Sequence, residues 1–504
     1  MNMKKLIARV FILVLVFAAV LTGCGREKQA GEAAEIRYGF TTEPATLDPL
    51  SPSNTADGRS ILFNVFEGLV KPDTEGNLRP AVAESYTVEQ GGLVYAFTLR
   101  EGLKFHDGTP VTVEDVAFTL NTAIEAEFAG FTQIDRVEQA GNRGIRVILK
   151  AVDTEFLPYL TIGVVPAHNA DREQRAIGTG PFSIESYTTQ QSLVLVKNPD
   201  YWQPGLPKLD KVTIVFVADS DALLTALQGG NIEGAGVTGS LIQQLSPDRF
   251  DIVPGYSNSV QLLALNNAVP PLSDIRVRQA INYAVDIAQI IDTAFYGQGE
   301  PSGSPLIPGL AVYYENSLRN PYPADPEKAR RLLAEAGYGD GFTLTITVPS
   351  NYTMHVDTAQ VVVNQLERIG ITARIRLIDW ATWRSDVYQG RQFESTIISL
   401  DANTMSPRSF LSRYASTATS NFINYKSDAF DRVYTGILAE TDDTKRAALY
   451  KEAQRIISAD AASVYIQDIL GFKAFPKGHF NGVVSYPLYV IDFSTIYRSP
   501  QGSR

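Results

Sequence analysis

Cys24 is the only cysteine in 504 residues. No disulfide can form within the chain, so its fold must be held by buried apolar surface. The position of that cysteine also narrows the setting. Lys4, Lys5 and Arg9 form a short basic head, Phe11 to Val20 is an uncharged apolar run, and Leu21-Thr22-Gly23 leads to the thiol. The run is too short for a membrane span and ends in small residues open to a peptidase, the layout of a secretory signal over residues 1–23. Residues 24–35 are small, polar and charged without periodicity. They read as a flexible tether, and folding is expected to begin at Ile36.

About 480 residues follow the signal, more than one ordinary domain holds, so two or three are expected. The three charges of the signal are all basic, which leaves 41 Lys and Arg against 55 Asp and Glu, a net of −14. Nucleic acid calls for a basic face, and an anionic lipid surface for a polybasic one. Neither is expected here. No later stretch reaches the length of a membrane span, so the rest of the chain is expected in water.

Hydrophobic periodicity alternates between strand and helix. Tyr95 to Leu99, Val147 to Leu149 and Val212 to Val217 read as strands, and Ser220 to Gln228 as a helix stopped by Gly229-Gly230. Thr112 caps a helix running through Leu120. Ser273 caps another over 274–288, where Val277, Ala280, Ile281, Ala284 and Val285 make one apolar face. Asp325-Pro326 opens a helix through Leu333. Phe342 to Val348, a helix over 356–368 and Thr372 to Ile378 then form a β-α-β unit with parallel strands. A strand over 394–400 and helices near 428–439 and 442–458 follow.

Signatures of catalysis are absent from the sequence: no Gly-x-Ser-x-Gly, no His-Glu-x-x-His, no phosphate-binding loop and no Cys-x-x-Cys. His106-Asp107-Gly108 reads as a turn rather than an acid–base pair. The informative places are the loops beyond the carboxyl ends of the parallel strands, where ligands gather in open α/β sheets. One carries Tyr352 and His355, whose imidazole could hydrogen-bond a ligand or complete a metal site. The next carries Trp380 and Trp383, the second with a possible structural role. The third carries Asp401, Asn403 and Arg408. Aromatic walls, a carboxylate and neutral donors suit a site that grips a polar organic molecule without reacting on it.

Two resemblances extend this reading. Leu21-Thr22-Gly23-Cys24 resembles the lipobox of bacterial lipoproteins, which implies a diacylglycerol on Cys24 and cleavage before it. The second rests on stretches in one order. They are Glu43-Pro44-Ala45-Thr46-Leu47-Asp48-Pro49, Phe105 to Val116, Gly178-Thr179-Gly180-Pro181-Phe182, Asn198-Pro199-Asp200-Tyr201-Trp202, Leu209-Asp210-Lys211-Val212, Pro271 to Ala280 with Tyr283 to Asp286, and Asp325 to Leu333. They resemble the extracellular solute-binding proteins of family 5, the peptide- and nickel-binding lipoproteins of ABC importers. The resemblance implies an α/β fold of the type II periplasmic-binding-protein kind, cluster C, with two hinged lobes and an inserted domain. On that template lobe one takes 36–66, 176–265 and 470–497, the inserted domain 67–175, and lobe two 266–469. Peptide binders of the family hold the ligand's amine with an Asp that precedes a Pro and Phe-Leu. Asp401, followed by Pro407 and Phe410-Leu411 at a longer spacing, stands in that place, with Ser399-Leu400 where the usual tryptophan would precede it.

The expectation is a monomeric, lipid-anchored, extracytoplasmic receptor, not an enzyme, that takes a small polar solute, a short peptide first, and delivers it to an ABC permease. It needs no cofactor and no resident metal. A nickel-chelate or opine receptor is the nearest alternative, and a secreted hydrolase using two carboxylates the alternative of another class.

Overall fold

The computed structural model describes residues 34–500 apart from 52, 55, 129, 256–257 and 403–405. The signal, Cys24 and Asn403 lie outside the described residues.

Three sheets organise the chain. The first has seven strands in the order Phe250–Gly255, Gly471–Pro476, Gly234–Val237, Glu35–Phe40, Lys211–Phe216, Ser192–Lys197, Phe182–Thr188. Glu35–Phe40 runs parallel to both its neighbours, and the remaining pairs are antiparallel. The second has six strands, Glu300–Pro301, Ser463–Asp468, Ser259–Leu265, Ser395–Asp401, Phe342–Pro349, Ile371–Ile378. The third is a four-stranded antiparallel sheet, Ala83–Glu89, Val94–Leu99, Gly144–Leu149, Ile134–Ala140, with the helix Val113–Glu125 packed on it.

The centre of the six-stranded sheet is covered on both faces. Every residue of Ser259–Leu265 is buried. Val260, Leu262 and Ala264 pack with Ile398, Leu400, Phe410 and Tyr465 on one face. Leu263 and Leu265 pack with Ile346, Ile397 and Val464 on the other, under the helices Ile275–Ala284 and Thr353–Glu367. Side chains alternate across a strand, so a strand buried at every position is one covered on both faces. The β-α-β unit has the expected sense: Phe342–Pro349 pairs in parallel with Ile371–Ile378, and Ser395–Asp401 pairs in parallel on its other side.

Two boundaries differ from expectation. The helix expected over 274–288 stops at Ala284, and Ile287–Ala294 is a separate helix. Asp286 breaks them apart, because its side chain accepts from the Gln289 amide while its own amide donates to Gln365 Oε1. The helix expected over 356–368 begins at Thr353, which moves His355 from a loop into the first helical turn.

The chain passes between the first two sheets at two adjacent places. Phe250–Gly255 belongs to the seven-stranded sheet and Ser259–Leu265, which the expected division assigns to lobe one, to the six-stranded sheet. Ser463–Asp468 returns from the six-stranded sheet and Gly471–Pro476 enters the seven-stranded one. Gly255 pairs with Gly471 on one side of the crossing, and Val260 with Asp468 on the other. Two short connections side by side permit a bend while fixing the ends.

Candidate functional site

Two of the three strand-end loops of the six-stranded sheet meet, those that carry Tyr352 and Trp380. Asp379 caps a short helix, its carboxylate accepting from the Thr382 amide at 3.0 Å and hydroxyl at 2.6 Å. That turn presents Trp380 and Trp383 stacked, with centroids 5.1 Å apart and planes 5° from parallel. Trp383 is 3% exposed and donates its indole N–H to Thr396 Oγ1 at 3.0 Å. It packs with Phe393, Phe410 and Phe422 and belongs to the core. Trp380 is 37% exposed. Tyr352 meets Trp380 edge-on at 5.4 Å and His355 at 5.5 Å.

Asp401 ends its strand exposed, opposite Ser259 and so beside the crossing. Its backbone carbonyl accepts from the Arg413 guanidinium at 3.2 Å. Its carboxylate makes no hydrogen bond or ion pair with another described residue.

Two expected ligand contacts have other partners. His355 is 2% exposed. Its Nδ1 accepts from Gln261 Nε2 at 3.1 Å, and Gln261 also donates to Thr358 Oγ1 at 3.0 Å and accepts from Gln467 Nε2 at 2.8 Å. This chain of polar groups ties the helix Thr353–Glu367 to two central strands. Burial pushes the imidazole down to about 4, so it is neutral at physiological pH. Arg408 turns away from the aromatic cluster and donates to Asp153 Oδ2 at 2.5 Å. Burial would lower its pKa, but the Asp153 carboxylate outweighs that and holds it above the ordinary arginine value. Arg408 therefore joins the six-stranded part to the segment that follows the four-stranded sheet. Among the described residues no three His, Cys, Asp or Glu side chains come together in a way that could hold a metal ion.

On the other side of the crossing a cavity of about 70 Å³ opens at the end of the seven-stranded sheet. Tyr38, Asp57, Gly255, Gly471, Lys473 and Tyr489 are among the residues lining it. Asp57 accepts from Tyr489 Oη at 2.8 Å. Burial raises the Asp57 carboxyl, and that hydrogen bond opposes the rise. Sequence reasoning found none of these residues. The signal for Lys473 was present, since Gly471-Phe472-Lys473-Ala474-Phe475 puts a charge inside a strand apolar on both sides, but it became readable only once both faces were seen to be packed.

The candidate site can therefore offer aromatic side chains and a carboxylate from one sheet, and from the other a small, mostly apolar cavity that holds Lys473 and Asp57. Residues 77–422 match the family described as bacterial extracellular solute-binding proteins, family 5 Middle. The chain is 28% identical over 484 residues to the glutathione-binding protein GsiB of Escherichia coli O1:K1 / APEC, covering 89% of this chain and 94% of that one. It is similar in structure to HbpA2 from Haemophilus parasuis, with TM-score 0.83, 22% identity, and 92% and 100% of the two chains covered. It is likewise similar to the ABC transporter-associated periplasmic binding protein DppA from Helicobacter pylori in complex with peptide STSA, with TM-score 0.74, 25% identity, and 93% and 99% covered. The fold is that of the type II periplasmic binding proteins, cluster C.

Proposed function

The chain belongs to the bacterial extracellular solute-binding proteins, family 5, and from that membership we propose that it is the solute receptor of an ABC importer. It captures a small polar solute, a short peptide before others, between two lobes built on the seven-stranded and six-stranded sheets. The observation that carries this reading is the paired crossing, marked by Gly255 beside Gly471 and Val260 beside Asp468, with Asp401 and Trp380 on one side and the cavity that holds Lys473 and Asp57 on the other. The likeness to a glutathione-binding protein and to a protein solved with a peptide supports a peptide-like solute.

In this reading the lobes meet at the crossing, so the divide falls between Gly255 and Ser259, and the four-stranded unit is the inserted domain. Bending closes Trp380 and Tyr352 over the solute. Asp401 takes its ammonium group, a charge-assisted contact that strengthens as water leaves. Closure is favoured because the solute touches both lobes only when they are shut. No bond is made or broken. Cleavage before Cys24 and lipid on its thiol would hold the receptor on the membrane near its permease, two acyl chains being enough for stable anchoring. The receptor is proposed to act as a monomer.

Native mass spectrometry of purified protein, followed by calorimetry with di-, tri- and tetrapeptides and glutathione, tests the reading. The expected result is a co-purifying peptide-like mass and saturable binding of at least one probe without turnover. Turnover of a probe, or no saturable binding of any, would overturn it.

A further inference from the structure

We propose that Lys473 receives a carboxylate of the bound solute in the cavity at the end of the seven-stranded sheet, an inference that rests on the solute-receptor reading above. Lys473 lies on Gly471–Pro476, a strand packed on both faces. Phe472 and Ala474 pack with Leu223, Leu227 and Phe250 on one side, and Phe475 with Tyr38 and Phe493 on the other. Its ammonium thus emerges among buried side chains. An ammonium has three donors and no acceptor. Here one donor reaches the Val484 carbonyl at 3.4 Å, at the outer limit of a hydrogen bond, and among the described residues Lys473 makes no ion pair.

The nearby carboxylates are engaged elsewhere. Asp492 accepts from Tyr486 Oη at 2.8 Å through one oxygen and from the Ser494 amide and hydroxyl through the other. Asp57 accepts from Tyr489. Burial lowers Lys473 to about 8, with Asp492 opposing the fall, so at neutral pH the group still carries its proton. A half-buried cation with so little compensation is costly in the empty protein. An anion entering the cavity would supply what the protein does not.

The space is shaped for a small group. Gly255 and Gly471 face each other as a strand pair and leave the cavity free of side chains there. A Cβ added at Gly471 would meet nothing within 4 Å, and one at Gly255 would stand 3.7 Å from Lys473 Nζ. About 70 Å³ holds a carboxylate, not a whole solute. The body of the solute would lie outside, toward Trp380 and Asp401 across the crossing. A molecule with an ammonium at one end and a carboxylate at the other, as a free peptide has, meets both charges.

The test compares trialanine with its C-terminal amide by calorimetry at pH 7, on wild type, Lys473→Met and Lys473→Gln, with glutathione as a second acid. The expected result is at least ten-fold tighter binding of the acid in wild type and equal affinities in both variants. Acid and amide of equal affinity in wild type, a comparison that needs no variant to fold, would overturn the assignment and leave the receptor reading intact. Failure of all three probes to bind would overturn the peptide reading, and the assignment would fall with it.

Discussion

Arg408 and Asp153 meet at 2.5 Å, a contact between side chains 255 residues apart in sequence. Asp153 follows the four-stranded sheet, and Arg408 follows the strand Ser395–Asp401. Around this pair the same two segments meet again. Glu155 accepts from Ser406 Oγ at 3.1 Å and lies 3.6 Å from the Arg446 guanidinium. Burial raises the Glu155 carboxyl, while Tyr450, Arg446 and Ser406 oppose the rise. The cluster fastens the segment that follows the four-stranded sheet to the six-stranded part.

Arg408→Ala leaves Asp153, nearly buried, without its counter-charge. Breaking a buried pair from one side costs about 3–5 kcal/mol, and the partial exposure of the arginine places the cost at the lower end. Denaturant unfolding should therefore show a loss of about 3 kcal/mol, and a double-mutant cycle with Asp153→Asn should recover part of it. Affinity for solute should be unchanged. A large affinity loss with unchanged stability would return Arg408 to the binding site.

His355 predicts a pH dependence of stability. Its pKa falls from 6.5 to about 4 on folding. Between those values the unfolded chain binds a proton that the folded one does not, so stability is complete above pH 6.5 and falls as pH drops toward 4. The full shift corresponds to roughly 3 kcal/mol. Other carboxylates titrate in the same window, so the measurement is a difference. His355→Gln, which keeps an acceptor for Gln261, should lose roughly 3 kcal/mol less than wild type between pH 7 and pH 4 in urea unfolding.

Much of the six-stranded unit was legible in the sequence, because its signals are local. Apolar runs of strand length, Pro326 at a helix start and the β-α-β spacing all depend on residues close in the chain. What was hidden depends on partners far away. The helix Thr353–Glu367 starts at Tyr352, which makes no side-chain cap, so nothing local marked its first turn. His355 consequently read as a loop residue until Gln261, 94 positions earlier, was seen to face it. Arg408 read as a ligand contact because Asp153 is invisible from its neighbourhood. Lys473 and Asp57 could not be joined by any spacing rule, since only the strand order brings their segments together.

The two tryptophans should separate binding from folding. Trp383→Ala removes a buried indole that packs with three phenylalanines and should cost about 3–5 kcal/mol in unfolding experiments. Trp380→Ala removes a half-exposed ring and should leave stability within about 1 kcal/mol. It should weaken solute binding at least ten-fold by calorimetry. Equal effects of the two substitutions on affinity would remove Trp380 from the site.

Asp401→Asn should weaken binding of peptides with a free amino terminus at least ten-fold and leave N-acetylated peptides unaffected. The carboxylate is exposed in the structure, so the substitution should not change the unfolding midpoint. Equal affinity of wild type for free and acetylated peptides would assign the amine to another group.

Lys473 predicts a pH dependence of opposite kinds for binding and for stability. A bound carboxylate requires the ammonium form, and in the empty protein that form is lost as pH rises through about 8. Affinity for a carboxylate should be level below that value and fall up to ten-fold per pH unit above it. Stability without solute should move the other way: between about 8 and the ordinary lysine value of 10.5 the unfolded chain holds a proton that the folded one has released, so unfolding becomes harder as pH rises. The groups around the ammonium do not imitate this. Asp492 and Asp57 are carboxylates, and Tyr38 and Tyr489 are pushed upward from 10 by burial, away from the window. The peptide's own amine does titrate near pH 8. It is common to trialanine and its amide, so the ratio of their affinities isolates the lysine. That ratio should shrink toward one between pH 7 and pH 10 in wild type and stay at one in Lys473→Met. A ratio constant across this range would show that the carboxylate is held by a group other than Lys473.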